Sequence, residues 1–206
     1  MCKKRSAILL AVVSLMASLL LGSVLPGHAH ADDAFSRYLA LEEAKSDIDT
    51  IYGFPSDCTY FVSKALWAGG LPTDAEWTYN SPDPELKASN TLYRGAGPTK
   101  TAAQADLLPK YLVRKGYASI KEIDWSDNTA GGALIGDIIG YFWNDGSAGD
   151  INHLALVTSL NEQGYPSVSQ HTPTQWDRYW SWSAESNNWI ERAHPDAKAY
   201  LIHINY

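Results

Sequence analysis

Ser56-Asp57-Cys58-Thr59-Tyr60-Phe61-Val62-Ser63-Lys64-Ala65-Leu66-Trp67-Ala68-Gly69-Gly70 is the most informative stretch of this 206-residue chain. Phe61, Val62, Ala65 and Leu66 fall on one face at helical spacing. Ser56 or Asp57 is suited to an N-cap and Gly69-Gly70 to a stop, so the spacing predicts a helix over Asp57 to Ala68. Cys58 then lies in the first turn, where unpaired backbone N–H groups and the helix dipole favour thiolate over thiol. The same N–H groups can hold an oxyanion on a carbonyl that the sulfur attacks.

The cysteine count sharpens this reading. Lys3, Lys4 and Arg5, the apolar run Ala7 to Val24 and the small-x-small site Ala29-His30-Ala31 predict a secretory signal over residues 1–31. A membrane anchor is the competing use of that run; the cleavage-like site and Asp32-Asp33 favour removal, leaving a secreted, extracellular or wall-associated protein with no stable membrane association. Cys2 leaves with the signal, so the mature domain, residues 32–206, keeps Cys58 alone. A secreted domain that uses cysteine for stability uses it in pairs, and a single thiol points to chemistry.

The signal holds three basic residues and no acidic one, which leaves 13 Lys+Arg against 23 Asp+Glu, a formal charge of −10. That balance argues against nucleic acid or an anionic membrane as partner. At this length the mature chain suits one domain, expected to be a monomer.

Working outward, Ala34 to Tyr52 reads as a helix, Leu71 to Thr99 as a surface excursion, and Thr101 to Lys115 as a third helix that Pro109 kinks. Asp137 to Trp143, His153 to Leu160 and Pro166 to His171 read as strands, with a turn at 161–164. Ala199 to Tyr206 closes the sheet. Gln175 to Trp189 is polar with four tryptophans, either a flat wall for sugar or peptide stacking or a packing element. Helices first and strands later imply an α+β fold, with N-terminal helices packed on an antiparallel sheet.

A thiolate needs a proton partner, and His153, at the start of an apolar strand, is the candidate base. His171 ends the partner strand of the same hairpin, at the matching end, and is expected to hydrogen-bond His153 and fix its tautomer. His194 and His203 are assigned to structure, Asp57 and Asp137 to capping and bracing, and Tyr52 is a further candidate for the oxyanion. One Cys and two His at these separations lack the short-spaced pairs of zinc sites, so no metal and no cofactor is expected.

Three segments carry a family resemblance. The Ser56–Gly70 stretch resembles the Asp-Cys-Thr-Asn-Phe-Val-Ser-Gln-Ala-Leu…Gly-Gly signature of the bacterial putative amidase domain family, a relative of the NlpC-type and CHAP peptidases. Gly136-Asp137-Ile138-Ile139 with Ile151-Asn152-His153-Leu154-Ala155-Leu156-Val157-Thr158 resembles its strand pair, and Val168-Ser169-Gln170-His171-Thr172 its Ser-Gln-His-Thr segment. The resemblance runs from Tyr38 to Tyr206. It implies a papain-like fold and a cysteine hydrolase (amidase or peptidase) with Cys58 as nucleophile, His153 as base and His171 as third polar residue. It implies peptide or peptidoglycan-fragment amides as substrate. Tyr60 stands where the pattern has Asn and Lys64 where it has Gln. Two other readings share the scaffold: a binding module with an idle thiol, and an acyltransferase that passes the thioester to an amine.

Overall fold

The computed structural model describes residues 34–54, 56–144, 146 and 150–206. The expected signal, residues 1–31, lies outside the described residues.

Helix α1, Arg37–Asp47, starts at Ser36, whose hydroxyl accepts the Leu39 N–H at 3.3 Å. Helix α2, Cys58–Ala68, ends as its two glycines require. Gly70 has a positive φ of 103° and donates to Trp67 O, and Leu71 donates to Leu66 O, which closes the last turn. Gly69 meets a different constraint: a Cβ there would sit 2.2 Å from the Phe35 ring, so the close approach of α1's leading segment excludes any side chain.

The expected single helix over Thr101 to Lys115 is two, α3 (Lys100–Ala103) and α4 (Leu107–Arg114). Pro109 is the cause, but it breaks the chain upstream and does not kink it. A proline ring clashes with the carbonyl four residues before it, here Ala105, and Gln104 accordingly turns extended. Within α4, Pro109 sits in the first turn, where its missing N–H has no intrahelical partner to lose.

Strands β1 (Ala118–Ile123), β2 (Ile138–Phe142), β3 (His153–Leu160), β4 (Pro166–Gln170) and β5 (Gln175–Tyr179) follow. The short pair β6 (Trp182–Ser183) and β7 (Asn188–Trp189), helix α5 (Ile190–Ala193) and β8 (Lys198–Ile204) complete the order. The main sheet is antiparallel, in the order β1-β8-β2-β3-β4-β5. The molecule is therefore α+β, as the sequence implies. Strand β1 escapes the sequence pattern because it is an edge: its four central residues are exposed and include Lys121 and Glu122, so no alternation shows.

Successive residues of β3 feed two cores. Leu154 and Leu156 face Phe61, Val62 and Leu66 of α2, together with Leu108 and Leu112 of α4. Ala155 and Val157 face the other way, toward Tyr141, Val168, Trp180 and Ile190. The Trp-rich stretch thus covers the second face of the sheet. Trp180 is fully buried and stacks on Trp125, whereas Trp176 is 40% exposed. The excursion over 71–99 is likewise no pure surface loop, since Trp77 is fully buried and its indole donates to Ser63 Oγ at 3.0 Å.

One buried carboxylate ties the layers together. Asp137 accepts from Arg37 at 2.6 Å, His203 Nδ1 at 2.8 Å, Leu134 N at 2.9 Å and Ile204 N at 3.1 Å. This is the bracing role expected of Asp137, and His203 is its partner. Asp137→Ala leaves the Arg37 guanidinium without a counter-charge in a half-buried site. It is expected to destabilise the fold by about 3–5 kcal/mol in urea unfolding, with the midpoint falling at unchanged slope.

Candidate active site

Packing of α2 against β3 and β4 sets the first turn of the helix beside the beginning of β3. Cys58 is 3% exposed there. Burial pushes its thiol up. The neighbouring His153, by charge and by hydrogen bond, then the Leu154 N–H and the Thr59 hydroxyl outweigh that and bring it from the ordinary 9.0 down to about 6. Sγ also lies 3.9 Å from Ser56 Oγ and 3.8 Å from Thr59 Oγ1. The two residues picked from sequence, far apart in the chain, therefore meet.

His153 is 7% exposed and is flanked by Tyr141, ring centres 6.0 Å apart, and Trp143 at 6.4 Å. Its Nε2 is buried and has no hydrogen-bond partner among the described residues. His171 does not fill that place. Its Nδ1 pairs with Asp57 Oδ2 at 3.0 Å and its Nε2 with the Asp47 carbonyl at 3.2 Å. The expected His153–His171 hydrogen bond is a correction, and strand register explains it. Leu156 pairs with Ser169, so continuing the ladder sets His171 opposite Leu154, one residue away from His153. Adjacent strand residues point to opposite faces. His171 stacks on Phe61 at 4.6 Å, on the helix side of the sheet, while His153 belongs to the Tyr141 side.

What His171 does hold is Asp57, the residue before Cys58. The Asp57 carboxylate also accepts from Thr172 Oγ1 at 2.7 Å, and the Asp57 N–H donates back to that hydroxyl at 3.1 Å. Asp57 thus braces and does not cap: it makes no side-chain bond to its own helix. The first-turn N–H groups of α2 are in consequence not occupied by the cap residue.

Sequence reading did not find the Asp57–Thr172 contact; the signal available was that each polar residue adjoins a candidate, Cys58 and His171. Nor does Tyr52 reach toward an oxyanion. Its hydroxyl donates to Asp47 and accepts from Lys64 at 2.7 Å. Lys64 also pairs with Asp47 at 2.6 Å and Glu43 at 3.1 Å, tying α2 to α1. Tyr60 packs edge-on against Tyr52 at 4.9 Å and Trp67 at 6.0 Å. Both departures from the family signature therefore serve the outer side of the helix. His194, assigned to structure, packs edge-on against Trp143 at 5.5 Å and remains exposed. Among the described residues no three His, Cys, Asp or Glu side chains converge to hold a metal ion.

The site thus sets a helix-borne cysteine beside a strand-borne histidine on an α+β scaffold. Residues 28–193 match the family described as Putative amidase domain, and the chain belongs to that family. The matched span includes Cys58, His153 and His171 but stops short of β8, which lies between β1 and β2. No curated protein and no solved structure matches the chain. Membership points to amide hydrolysis in general.

The Asp57–His171 pair is expected to act as one unit in folding. Asp57→Ala and His171→Ala should each cost about 1–3 kcal/mol, and the double variant should fall short of their sum by about 0.5–3 kcal/mol in a double-mutant cycle read by chemical denaturation.

Proposed function

We propose that this protein is a secreted cysteine amidase or peptidase of papain-like type, acting on amide bonds of peptidoglycan peptides, with Cys58 as nucleophile and His153 as base. The observation that carries the reading is the placement of His153 against Cys58 at the start of α2, which lowers the thiol against the opposing effect of burial. A buried cysteine without a partner shifts the other way. The general architecture, a helix N-terminus bearing sulfur against an antiparallel sheet, supports the papain-like assignment.

The steps balance as follows. Cys58 gives its proton to His153, and Sγ attacks the amide carbonyl. The oxyanion is held by first-turn N–H groups of α2, which the Asp57 side chain leaves open. Collapse expels the amine, which takes the proton from His153, and leaves a thioester on Cys58. Water, deprotonated by His153, attacks the thioester and releases the carboxylic acid, and the proton returns to the thiolate. His171 and Asp57 touch no reacting atom; their role is to position the turn that carries Cys58.

Secretion rests on the signal-like residues 1–31, and the peptidoglycan substrate on the family resemblance. The 3% exposure of Cys58 favours a second reading, an idle thiol in a binding module. Alkylation separates the two. The rate with iodoacetamide is expected to follow the thiolate, flat above neutrality and falling as pH drops through about 6. In His153→Ala the midpoint should rise toward 9.0, because only the Leu154 N–H and the Thr59 hydroxyl then oppose burial. A wild-type midpoint near 9.0 would leave the thiol idle. Incubation with purified peptidoglycan, followed by mass spectrometry of released fragments, should show new amine and carboxylate termini that Cys58→Ala abolishes. Added amine acceptors that yield a new amide product would mark a transferase.

A further inference from the structure

A cleft of about 690 Å³ opens on the second face of the sheet, beginning one aromatic ring from His153. Its walls include Trp143, Gln170, Gln175, Arg178, Trp182 and His194. Neither Cys58 nor His153 lines it, but Trp143 packs against His153 and Gln170 directly precedes His171.

Arg178 is the unusual residue of this cleft. It is half-buried, and among the described residues it has no carboxylate partner. Arg37 and Lys64, the other partly buried cations at the core of the fold, are each neutralised by an aspartate. Lys87, held by two carbonyls, is 6% exposed and closed over by its loop. Arg178 instead faces the cleft. Nη1 donates to the carbonyls of Tyr179, Trp180 and Trp182, while Nε and Nη2 both donate to Gln170 Oε1, at 3.0 and 2.6 Å. Those bonds fix the guanidinium plane, with its carbon 5.1 Å from the centre of the Tyr141 ring. With the Tyr141 hydroxyl as a further partner, the donors of the guanidinium are largely taken, but among the described residues no carboxylate neutralises its charge. A cation removed from water without a counter-ion is costly, and the charge of an anion entering the cleft offsets that cost.

We infer that this cleft binds a free carboxylate of the substrate at Arg178, so that the preferred amides carry a carboxylate a short distance from the bond attacked. The inference rests on the hydrolase reading above and adds its substrate class. Reach supports it. Tyr141 lies 6.0 Å from the His153 ring and 5.1 Å from the Arg178 guanidinium, and a chain of about three residues spans such a path at about 3.5 Å per residue. Trp143 and Trp182 give the intervening chain apolar walls, and Gln175 offers an amide to its backbone. Glu185, exposed on the rim, is the one carboxylate among the lining residues and works against the ligand.

Binding is tested apart from catalysis in full-length Cys58→Ala. Acetyl-Ala-Ala with a free carboxylate and its C-terminal amide are titrated separately, read by NMR shifts of the indole N–H signals of Trp143 and Trp182. The acid is expected to bind about tenfold or more tightly than the amide, and the difference should shrink as salt rises. Arg178→Gln should abolish the preference. Glu185→Gln should tighten the acid about twofold, and since the described residues give Glu185 no partner, this variant decides the matter if Arg178→Gln fails to fold. Equal binding of acid and amide, a preference that survives Arg178→Gln, or an acid affinity unmoved by Glu185→Gln overturns the inference. Failure of the hydrolase reading looks different: the acid still binds selectively, yet the wild-type protein cleaves no amide.

Discussion

Burial and charge pull the Cys58 thiol in opposite directions, and the outcome depends on the approach of His153. A sulfur 3% exposed would ordinarily hold its proton tightly. It does not, because the helix that carries it is seated on Leu154 and Leu156 through Phe61, Val62 and Leu66. Apolar packing of one helix face thereby fixes an electrostatic contact at that helix's end.

The seat needs fastening along the chain as well as across it. Asp57 is held by His171 and Thr172, so the end of β4 grips the residue just before Cys58. The same imidazole reaches the last residue of α1 through the Asp47 carbonyl. On the opposite edge, Asp137 gathers Arg37, His203 and two backbone N–H groups. Two buried carboxylates thus lock the α1–α2 layer to the sheet, each through charge-assisted bonds that a neutral residue could not replace.

Covering both faces of the sheet separates two tasks. The helical face supplies Cys58. The other face, closed by Trp180 and Ile190, carries His153 at its margin and the Arg178 cleft beside it. Because β3 alternates, one strand serves both: its even-numbered leucines anchor α2, and its odd-numbered positions begin with His153.

Much of this was legible in the linear pattern. The α2 helix, its glycine stop, the β3–β4 hairpin, the existence of a last strand and the choice of Cys58 with His153 follow from local periodicity, turn chemistry and the rarity of an unpaired thiol, but that last strand lies between β1 and β2 and does not close the sheet. Such signals are short-range and leave a mark in neighbouring residues. The edge strand β1 left none, because its exposed positions carry no alternation. The partner of His171 was also beyond the sequence, since it turns on a one-residue matter of register that sends two histidines at the same hairpin end to opposite faces. That Arg178 meets no carboxylate among the described residues belongs to the same class. Residue type and spacing determine what a segment can form; which groups finally touch, and which cation is left without its anion, is decided only when separate segments pack.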